Sequence, residues 1–257
     1  MRSLIVRGRT LNSHGHALIC TPLVACTADG IHAELVSILP KCPDLIEWRV
    51  DFFAEIHDPT RVVAVARAIR LAAGTLPIIF TCRSPQEGGE AISLSDDAVV
   101  ALYQEVCASG AVDIIDYELS QAPEKRGRLR DASRANDVLM ILSHHNFKST
   151  PTCADMIHKI IEAEVEGADI AKLAVTPQAA DDVLVLLQAT LSASQRVRIP
   201  VITMSMGGIG AVTRLCGWLY GSVMTFAVGK SSSAPGQIPI EDLRAALQTM
   251  QRAVNGE

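Results

Sequence analysis

A single lysine stands in an apolar segment where a solvated side chain would be out of place. Lys172 occupies the middle of the run D-I-A-K-L-A-V, which spans Asp169 to Val175. Alone, this pattern favours a structural lysine that forms an ion pair or extends its charged end to solvent. In a barrel strand, however, the side chain can reach only the packed interior or the active-site mouth. Desolvation beside arginine cations would favour the neutral amine there, which is a nucleophile toward a carbonyl carbon.

Two histidines follow a second apolar run, V-L-M-I-L-S, and could take part in the same chemistry. A histidine at a strand end can also be a core residue whose ring bonds to the backbone, and we favour that interpretation for His144. An imidazole is suited to move protons at neutral pH because its ordinary pKa lies close to that pH. For His145, in combination with Lys172, we therefore predict a catalytic role.

Further charged residues lie at the ends of other apolar runs. Glu47 and Arg49 are two positions apart, so in a strand their side chains share a face. The same holds for Asp116 and Glu118, and Arg83 ends the run between these two pairs. Basic side chains in such a cluster could bind a small anionic substrate, because the field in a pocket is set by its own lining.

Arg214 lies in G-I-G-A-V-T-R-L-C-G, where a loop is predicted to enter a helix. Such positions in barrels often bind anionic groups, so Arg214 is a candidate substrate ligand, and a surface salt bridge is an equally good interpretation. Gly208 and Gly210 resemble the start of a dinucleotide-binding fingerprint. Thr213 stands where the third glycine belongs, however, and no acidic partner is evident, so we reject a nucleotide site.

The segment S-S-S-A-P-G-Q-I, from Ser231 to Ile238, is rich in small residues and follows the last predicted strand. It is either an ordinary flexible loop or a lid that closes over the barrel mouth and excludes water. Both interpretations remain open at the level of the sequence.

These residues need a scaffold that brings several strand ends together. The chain has 257 residues, 49% of them hydrophobic but only 4% aromatic, so its core must come from Val, Ile, Leu and Ala, which fill parallel sheets. Short apolar runs alternate with stretches of helical spacing. The runs are ALICTPLVA, LIEWRV, PIIFTC, VDIIDYEL, VLMILSHH, DIAKLAV, PVITM and SVMTFAV. Their number predicts an α/β fold, a (β/α)8 TIM barrel, with its active site at the carboxyl ends of the strands.

Helices are predicted over Asp58–Ala73, Asp97–Ser109 and Ala179–Ala193. Asp58 and Thr150 each precede a proline and are predicted to cap helices. A short N-terminal extension, to about Gly15, is predicted to form a hairpin that closes the amino-terminal mouth of the barrel. Because no Pro/Gly/Ser-rich linker interrupts the alternation, we expect residues 1–257 to form a single domain.

Charge and cysteine usage exclude several classes of protein. The 23 Lys and Arg against 28 Asp and Glu give a net charge of -5, which argues against nucleic acid as a partner. No apolar run is long enough to span a membrane. The seven cysteines are scattered and never form C-x-x-C pairs, which is typical of reduced thiols rather than of zinc or redox sites. We therefore expect a soluble, cytoplasmic protein.

Taken together, these segments resemble the type I 3-dehydroquinate dehydratase family from the first strand to the last helix. Seven motifs carry the resemblance, in the same order as in the family. They are E-W-R-V-D from Glu47, F-T-C-R-S-P-Q-E-G-G-E from Phe80, S-H-H-N-F from Ser143, A-K-L-A from Ala171, V-I-T-M-S-M-G from Val201, T-R-L-C-G from Thr213 and S-A-P-G-Q-I from Ser233.

The resemblance implies a role for each matching position. Lys172 resembles the Schiff-base lysine, His145 the catalytic histidine, and Glu87 the carboxylate that pairs with this histidine. The residues that resemble substrate contacts are Glu47, Arg49, Arg83, Arg214, Ser233 and Gln237, with Arg214 as the carboxylate clamp. Met204, Met206 and Phe226 would line the pocket.

The resemblance also implies a reaction and its partners. The family dehydrates a small molecule, 3-dehydroquinate, to 3-dehydroshikimate in the shikimate pathway toward chorismate and the aromatic amino acids. It uses no metal and no organic cofactor, and it suggests a homodimer. Service in quinate breakdown remains open, because it would use the same dehydration. Two alternatives are another class I Schiff-base aldolase or lyase, and a non-catalytic barrel that binds the metabolite.

Overall fold

Strands and helices alternate along the chain as the apolar pattern predicts. The computed structural model describes residues 3–12 and 17–256. The strands are β1 (Leu4–Val6), β2 (Arg9–Leu11), β3 (Leu18–Leu23), β4 (Leu45–Arg49), β5 (Ile78–Thr81), β6 (Ile114–Glu118), β7 (Leu139–Asn146), β8 (Ile170–Val175), β9 (Val201–Ser205), β10 (Met224–Val228) and β11 (Ile238–Pro239). The helices are α1 (Ala28–Ile38), α2 (Pro59–Ala73), α3 (Asp96–Ala108), α4 (Pro123–Ala135), α5 (Cys153–Val165), α6 (Ala180–Arg196), α7 (Gly207–Gly210), α8 (Val212–Cys216) and α9 (Ile240–Asn255).

The eight strands β3 to β10 run parallel and form the predicted barrel. Neighbours in the chain are neighbours in the sheet from β3 to β9, and β10 returns to pair with β3, with Met224 opposite Leu18. At the seam, the amide of Val223 donates to the carbonyl of Val201 (2.9 Å) and joins the starts of β9 and β10. Nearer its carboxyl end, β10 pairs with β11, the short strand that ends the segment proposed as a lid.

The predicted helices are present within a few residues, and their caps partly differ from expectation. Asp58 caps α2 as predicted, accepting from the amides of Thr60 (3.0 Å) and Arg61 (3.2 Å). Thr150 was wrongly predicted as a cap. The helix α5 begins two residues later than expected, and Thr152 caps it by accepting from the amide of Asp155 (3.2 Å).

Each barrel strand divides its side chains between two cores. In β4, Ile46 and Trp48 face the surrounding helices, whereas Leu45 lies inside the barrel. Outside, edge-to-face aromatic contacts run from Trp48 through Phe80 and Tyr103 to Tyr117, with ring centroids 5.1–5.6 Å apart. Inside, apolar residues at the amino ends of the strands fill the bottom of the barrel. The upper part is thereby left to polar side chains.

The N-terminal extension is the predicted hairpin. Strands β1 and β2 pair antiparallel, and Val6 and Leu11 are buried against the apolar bottom layer of the barrel. The end of the predicted segment, with Gly15, lies outside the described residues. A plug of this kind excludes water from the barrel floor, so the interior is accessible from the carboxyl end of the strands.

Three aspartates, Asp44, Asp113 and Asp169, fasten the amino ends of the strands. Each precedes a strand and accepts the amide of a residue in the neighbouring strand, at 3.0 Å from Ile19, 2.8 Å from Ile78 and 2.9 Å from Met140. Each also pairs with at least one arginine, for example Asp113 with Arg7 of the hairpin and Arg70 of α2. Among the described residues, no helix is long and apolar enough to cross a membrane.

Candidate active site

Lys172 points from β8 into the upper barrel, where it is buried among carboxylates. Its Nζ donates to Oδ2 of Asp116 at 2.7 Å and lies 3.5 Å from Oε1 of Glu47. The same nitrogen lies 4.5 Å from the ring centroid of Phe226, a cation–π contact. The lysine is 6% exposed, so it neither extends to solvent nor lies at the protein surface.

Asp116 connects the lysine to the next layer of the site. Its other oxygen, Oδ1, accepts from Nη2 of Arg83 (2.7 Å) and from Oγ of Ser143 (2.6 Å). The side chain is completely buried. Burial alone would raise the pKa of Asp116, but the charges of Arg83 and Lys172 outweigh it and hold this pKa well below the ordinary value. The carboxylate is therefore ionised and fully partnered.

His145 is held by Glu87, which lies on the side of Arg83 away from Asp116. The imidazole Nδ1 lies 2.9 Å from Oε2 of Glu87, and the amide of His145 donates to the same oxygen at 3.0 Å. Oε1 of Glu87 accepts from Oγ of Ser120 at 3.0 Å. With Nδ1 as the donor to the carboxylate, Nε2 carries the free lone pair of the ring.

Burial and neighbouring charge determine how this pair titrates. Burial lowers the pKa of His145 to about 3, with the Arg83 charge acting in the same direction and Glu87 opposing it. Burial would raise the pKa of Glu87, but the neighbouring imidazoles of His144 (3.7 Å) and His145 (2.9 Å) lower it to about 2. At neutral pH the pair is thus an ionised carboxylate and a neutral imidazole, the protonation state that a general base requires.

Asp51 positions Arg49 of β4 and the loop that carries Glu87. Arg49 donates to both oxygens of Asp51, at 2.8 and 2.6 Å. Those oxygens also accept the amides of Arg83 and Glu90, each at 3.2 Å. One buried carboxylate therefore anchors the first part of the loop between β5 and α3 at two points, Arg83 and Glu90.

Arg214 is a buried cation in the helix α8, and the interpretation as a surface salt bridge is wrong. It is 1% exposed, and among the described residues none of its nitrogens lies within salt-bridge distance of a carboxylate. It donates instead to the carbonyls of Phe226 (3.4 Å) and Pro235 (3.2 Å). Burial lowers its pKa to about 10. A guanidinium bound only by neutral groups retains its attraction for an anion.

The segment after β10 covers the site as a lid. Ser233, Ala234 and Gln237 line the same cavity as Lys172. The amide of Gly207 and Nη2 of Arg214 both bind the carbonyl of Pro235, which fastens the lid to the barrel rim. Within the lid, Gln237 exchanges hydrogen bonds with Ser233 at 3.1 Å.

The residues predicted from the sequence come together in one cavity. Its lining includes Lys172, His145, Glu87, Glu47, Arg49, Arg83, Ser233 and Gln237, together with Met204, Met206 and Phe226. Arg214 lies directly behind Phe226 and contacts Met204 and the carbonyl of Phe226. No group of three or more His, Cys, Asp or Glu side chains in residues 3–12 and 17–256 could hold a metal ion.

Asp116, Ser143 and Asp51 also belong to the site, although the sequence predicted no role for them. The alternation in D-Y-E at the end of β6 already put Asp116 on the same face as Glu118. Its proximity to Lys172 could not be inferred. The two residues lie in β6 and β8, and the distance between these strands is set by the curvature of the barrel. The available signal was that Asp116 lies two residues before the carboxyl end of a strand, on the face that points into the barrel.

The fold and these side chains define a class, a (β/α)8 barrel enzyme with its chemistry at the carboxyl ends of the strands. The family model for type I 3-dehydroquinase matches residues 19–254. The chain is 50% identical over 253 residues to the 3-dehydroquinate dehydratase of Albidiferax ferrireducens (96% of each chain). It is 49% identical over 256 residues to that of Aromatoleum aromaticum (100% of this chain, 98% of the relative).

Solved structures agree. The 3-dehydroquinate dehydratase of Geobacillus kaustophilus superposes with a TM-score of 0.95 at 45% identity, covering 97% of this chain and 96% of that one. The type I enzyme of Clostridium difficile, solved with covalently modified comenic acid, gives 0.94 at 36% identity, covering 98% and 99%. The chain belongs to the type I 3-dehydroquinase family.

The depressed pKa of His145 predicts how stability responds to acid. Unfolding returns His145 to an ordinary pKa of ~6.5, so below that pH the unfolded chain binds a proton that the folded chain excludes until about pH 3. The free energy of unfolding should therefore fall by up to ~1.4 kcal/mol per pH unit through this residue as pH decreases from 6.5 to 4.5. Replacing His145 by Asn should flatten that slope in urea titrations.

Met206→Leu is the matched control, because this buried neighbour carries no titrating group. It should lower stability equally at all pH values. An unchanged acid slope in the His145→Asn variant would contradict the assignment of a neutral, buried imidazole.

Proposed function

We propose that the chain dehydrates 3-dehydroquinate to 3-dehydroshikimate, as a hydro-lyase of the shikimate pathway that holds its substrate as an imine on Lys172. The observation that carries the proposal is a buried lysine and a neutral, carboxylate-held histidine lining one cavity. The names of the full-length relatives support the choice of substrate.

Imine formation makes the substrate acidic next to its carbonyl carbon. The nitrogen of Lys172 condenses with the ketone, water leaves, and the cationic imine withdraws electrons from the adjacent C–H bond. Phe226 and the lid exclude bulk water from this nitrogen, which protects the imine from hydrolysis. A metal ion has no step in this scheme.

His145 then moves the proton. Its Nε2 accepts the proton from the carbon, and the resulting imidazolium is stabilised by ionised Glu87 at 2.9 Å. The imidazolium returns the proton to the departing hydroxyl, which leaves as water. Hydrolysis of the conjugated imine releases the enone product and the lysine.

Several cations orient the substrate. We assign its carboxylate to Arg214, the buried guanidinium that has no ionic partner in the described part of the chain, and its ring hydroxyls to Glu47, Arg49, Arg83, Ser233 and Gln237. Because Arg214 also binds the Pro235 carbonyl, the anion and the lid contact the same side chain.

A class I aldolase would share the lysine, and a metabolite sensor would be free to lose it. Neither requires both Lys172 and the His145–Glu87 pair.

We further propose that the enzyme is cytoplasmic. All seven cysteines are free thiols in the structure, which suits a reducing compartment.

Trapping the imine tests the central assignment. Borohydride added with substrate or product should inactivate the enzyme and leave one adduct, which peptide mass spectrometry should locate on Lys172. Borohydride alone is the control and should leave activity intact. An adduct on any other lysine, or turnover in a Lys172→Met variant, would refute the mechanism.

Arg214 tests substrate orientation. A guanidinium binds a carboxylate with two parallel hydrogen bonds, whereas lysine retains the charge without the second bond. A charge-assisted hydrogen bond contributes roughly 1.5–3 kcal/mol, so Arg214→Lys should lower kcat/KM by about ten- to a hundredfold, and Arg214→Ala by more. Normal kcat/KM in Arg214→Ala would instead move the carboxylate to Arg49 or Arg83.

We also propose that the protein is a homodimer that associates through an apolar face on α6. Leu184 and Leu191 are exposed seven residues apart on this helix, and exposed Leu219 lies on the turn packed against it. Sedimentation velocity should give a dimer for the wild type and a monomer for Leu191→Glu. Leu71→Glu, at a leucine on α2 that is more exposed than Leu191, is the control and should remain dimeric.

A further inference from the structure

The two carboxylate oxygens of Asp116 bind different partners. Oδ1 is fixed by two donors, Arg83 and Ser143, at 2.7 and 2.6 Å. Oδ2 is directed at Nζ of Lys172, 2.7 Å away. The second carboxylate near that nitrogen, Glu47, is farther away at 3.5 Å, and its same oxygen accepts from Oγ1 of Thr81 at 2.9 Å. Asp116 is thus the lysine's principal ionic partner among the described residues.

The chemistry proposed for Lys172 conserves the charge on its nitrogen. An ammonium group and a ketone condense to an iminium ion and one water molecule, so Nζ carries one positive charge before the step and after it. A carboxylate already aligned with the ammonium N–H is aligned with the iminium N–H as well, if the nitrogen remains in place. Such an arrangement stabilises the intermediate without reorganisation at the moment of reaction.

We propose that Asp116 is the counter-ion of the imine, a catalytic residue that stays hydrogen-bonded to Lys172 Nζ through condensation and keeps the imine protonated. The inference rests on the proposed function. Protonation matters because a neutral imine withdraws electrons far less strongly than an iminium ion. Arg83 and Ser143 act on the reaction through Asp116, by holding its carboxylate in place.

The other groups around Nζ do not supply this charge. Cys20 faces it from β3, Arg83 from the end of β5, His145 from β7 and Phe226 from β10. Burial raises the pKa of the Cys20 thiol well above its ordinary value, and His145 is neutral, so neither provides an anion. The pKa of His145 is about 3, and that of Cys20 lies well above the ordinary thiol value. Neither group therefore accounts for an alkaline limb in the pH dependence of kcat, which we assign to the imine nitrogen.

Asp116→Asn tests the inference, because asparagine keeps the shape and removes the charge. In a pH series of kcat from 6 to 10, the variant should lose about a hundredfold at neutral pH. Its alkaline limb should move at least about one pH unit lower, since an iminium ion without its counter-ion loses its proton more easily. Borohydride trapping on Lys172 should be slower by a comparable factor.

Asp169→Asn is the matched control. Asp169 is also paired with an arginine and accepts a strand amide, but it lies at the opposite end of the barrel. It should lower stability and leave the alkaline limb in place. If circular dichroism shows that Asp116→Asn is unfolded, Ser143→Ala takes its place, and a smaller shift in the same direction is expected.

The possible results separate cleanly. A shifted alkaline limb with slow trapping on Lys172 supports the counter-ion. A folded Asp116→Asn variant, or in its place Ser143→Ala, with an unshifted limb and normal trapping overturns it and leaves Asp116 with a structural role. If the wild type itself gives no adduct on Lys172, the proposed function fails first, which the control reaction of the unmodified enzyme reveals.

Discussion

The requirement that buried charges be paired governs the upper half of this barrel. Lys172, Arg83 and Asp116 are almost entirely excluded from water, and any one of them left alone would cost several kcal/mol. Together they form a connected set, in which one carboxylate is bound by the lysine and the arginine at 2.7 Å each. Glu87 and His145 extend this set on the other side of Arg83. The position of each catalytic group therefore depends on the presence of its neighbours, and the site is ordered before any substrate arrives.

The barrel makes this arrangement possible by separating its two ends. The inward face of β4 runs from Leu45 through Glu47 to Arg49, so apolar side chains fill the bottom and charges occupy the top. Outside the sheet, the hydroxyl of Tyr103 accepts the amide of Cys82 and donates to the carbonyl of Asp116, both at 2.7 Å. The helix α3 thus fixes the spacing between the ends of β5 and β6. Packing outside the barrel determines the distances between charges inside it.

Much of this could be predicted from the sequence, because alternation within a strand and the order of strands are local properties. All eight strands, the hairpin and the shared cavity followed from them, and the motifs that resemble the family identified Glu87, which no periodicity indicates. Contacts across the barrel could not be predicted. Asp116 and Lys172 are 56 residues apart, and their 2.7 Å contact depends on curvature and register. For the same reason the sequence could not decide whether the segment from Ser231 to Ile238 is a lid. Its anchoring depends on hydrogen bonds from Gly207 and Arg214 to the carbonyl of Pro235.

The pairing requirement also explains how an anion can be selected. Arg49 and Arg83 already have carboxylate partners, Asp51 and Asp116, at 2.6–2.8 Å. Among residues 3–12 and 17–256, Arg214 bonds only to carbonyls and a thioether, so burial is not offset by an opposite charge and lowers its pKa to about 10. A substrate carboxylate would supply the missing charge, and its binding would be strongest at this arginine because the guanidinium is buried. The same guanidinium binds the lid, so the substrate's anion and the cover over Lys172 are joined at one side chain. An uncharged analogue of the same shape would leave Arg214 without an ionic partner and would therefore bind more weakly.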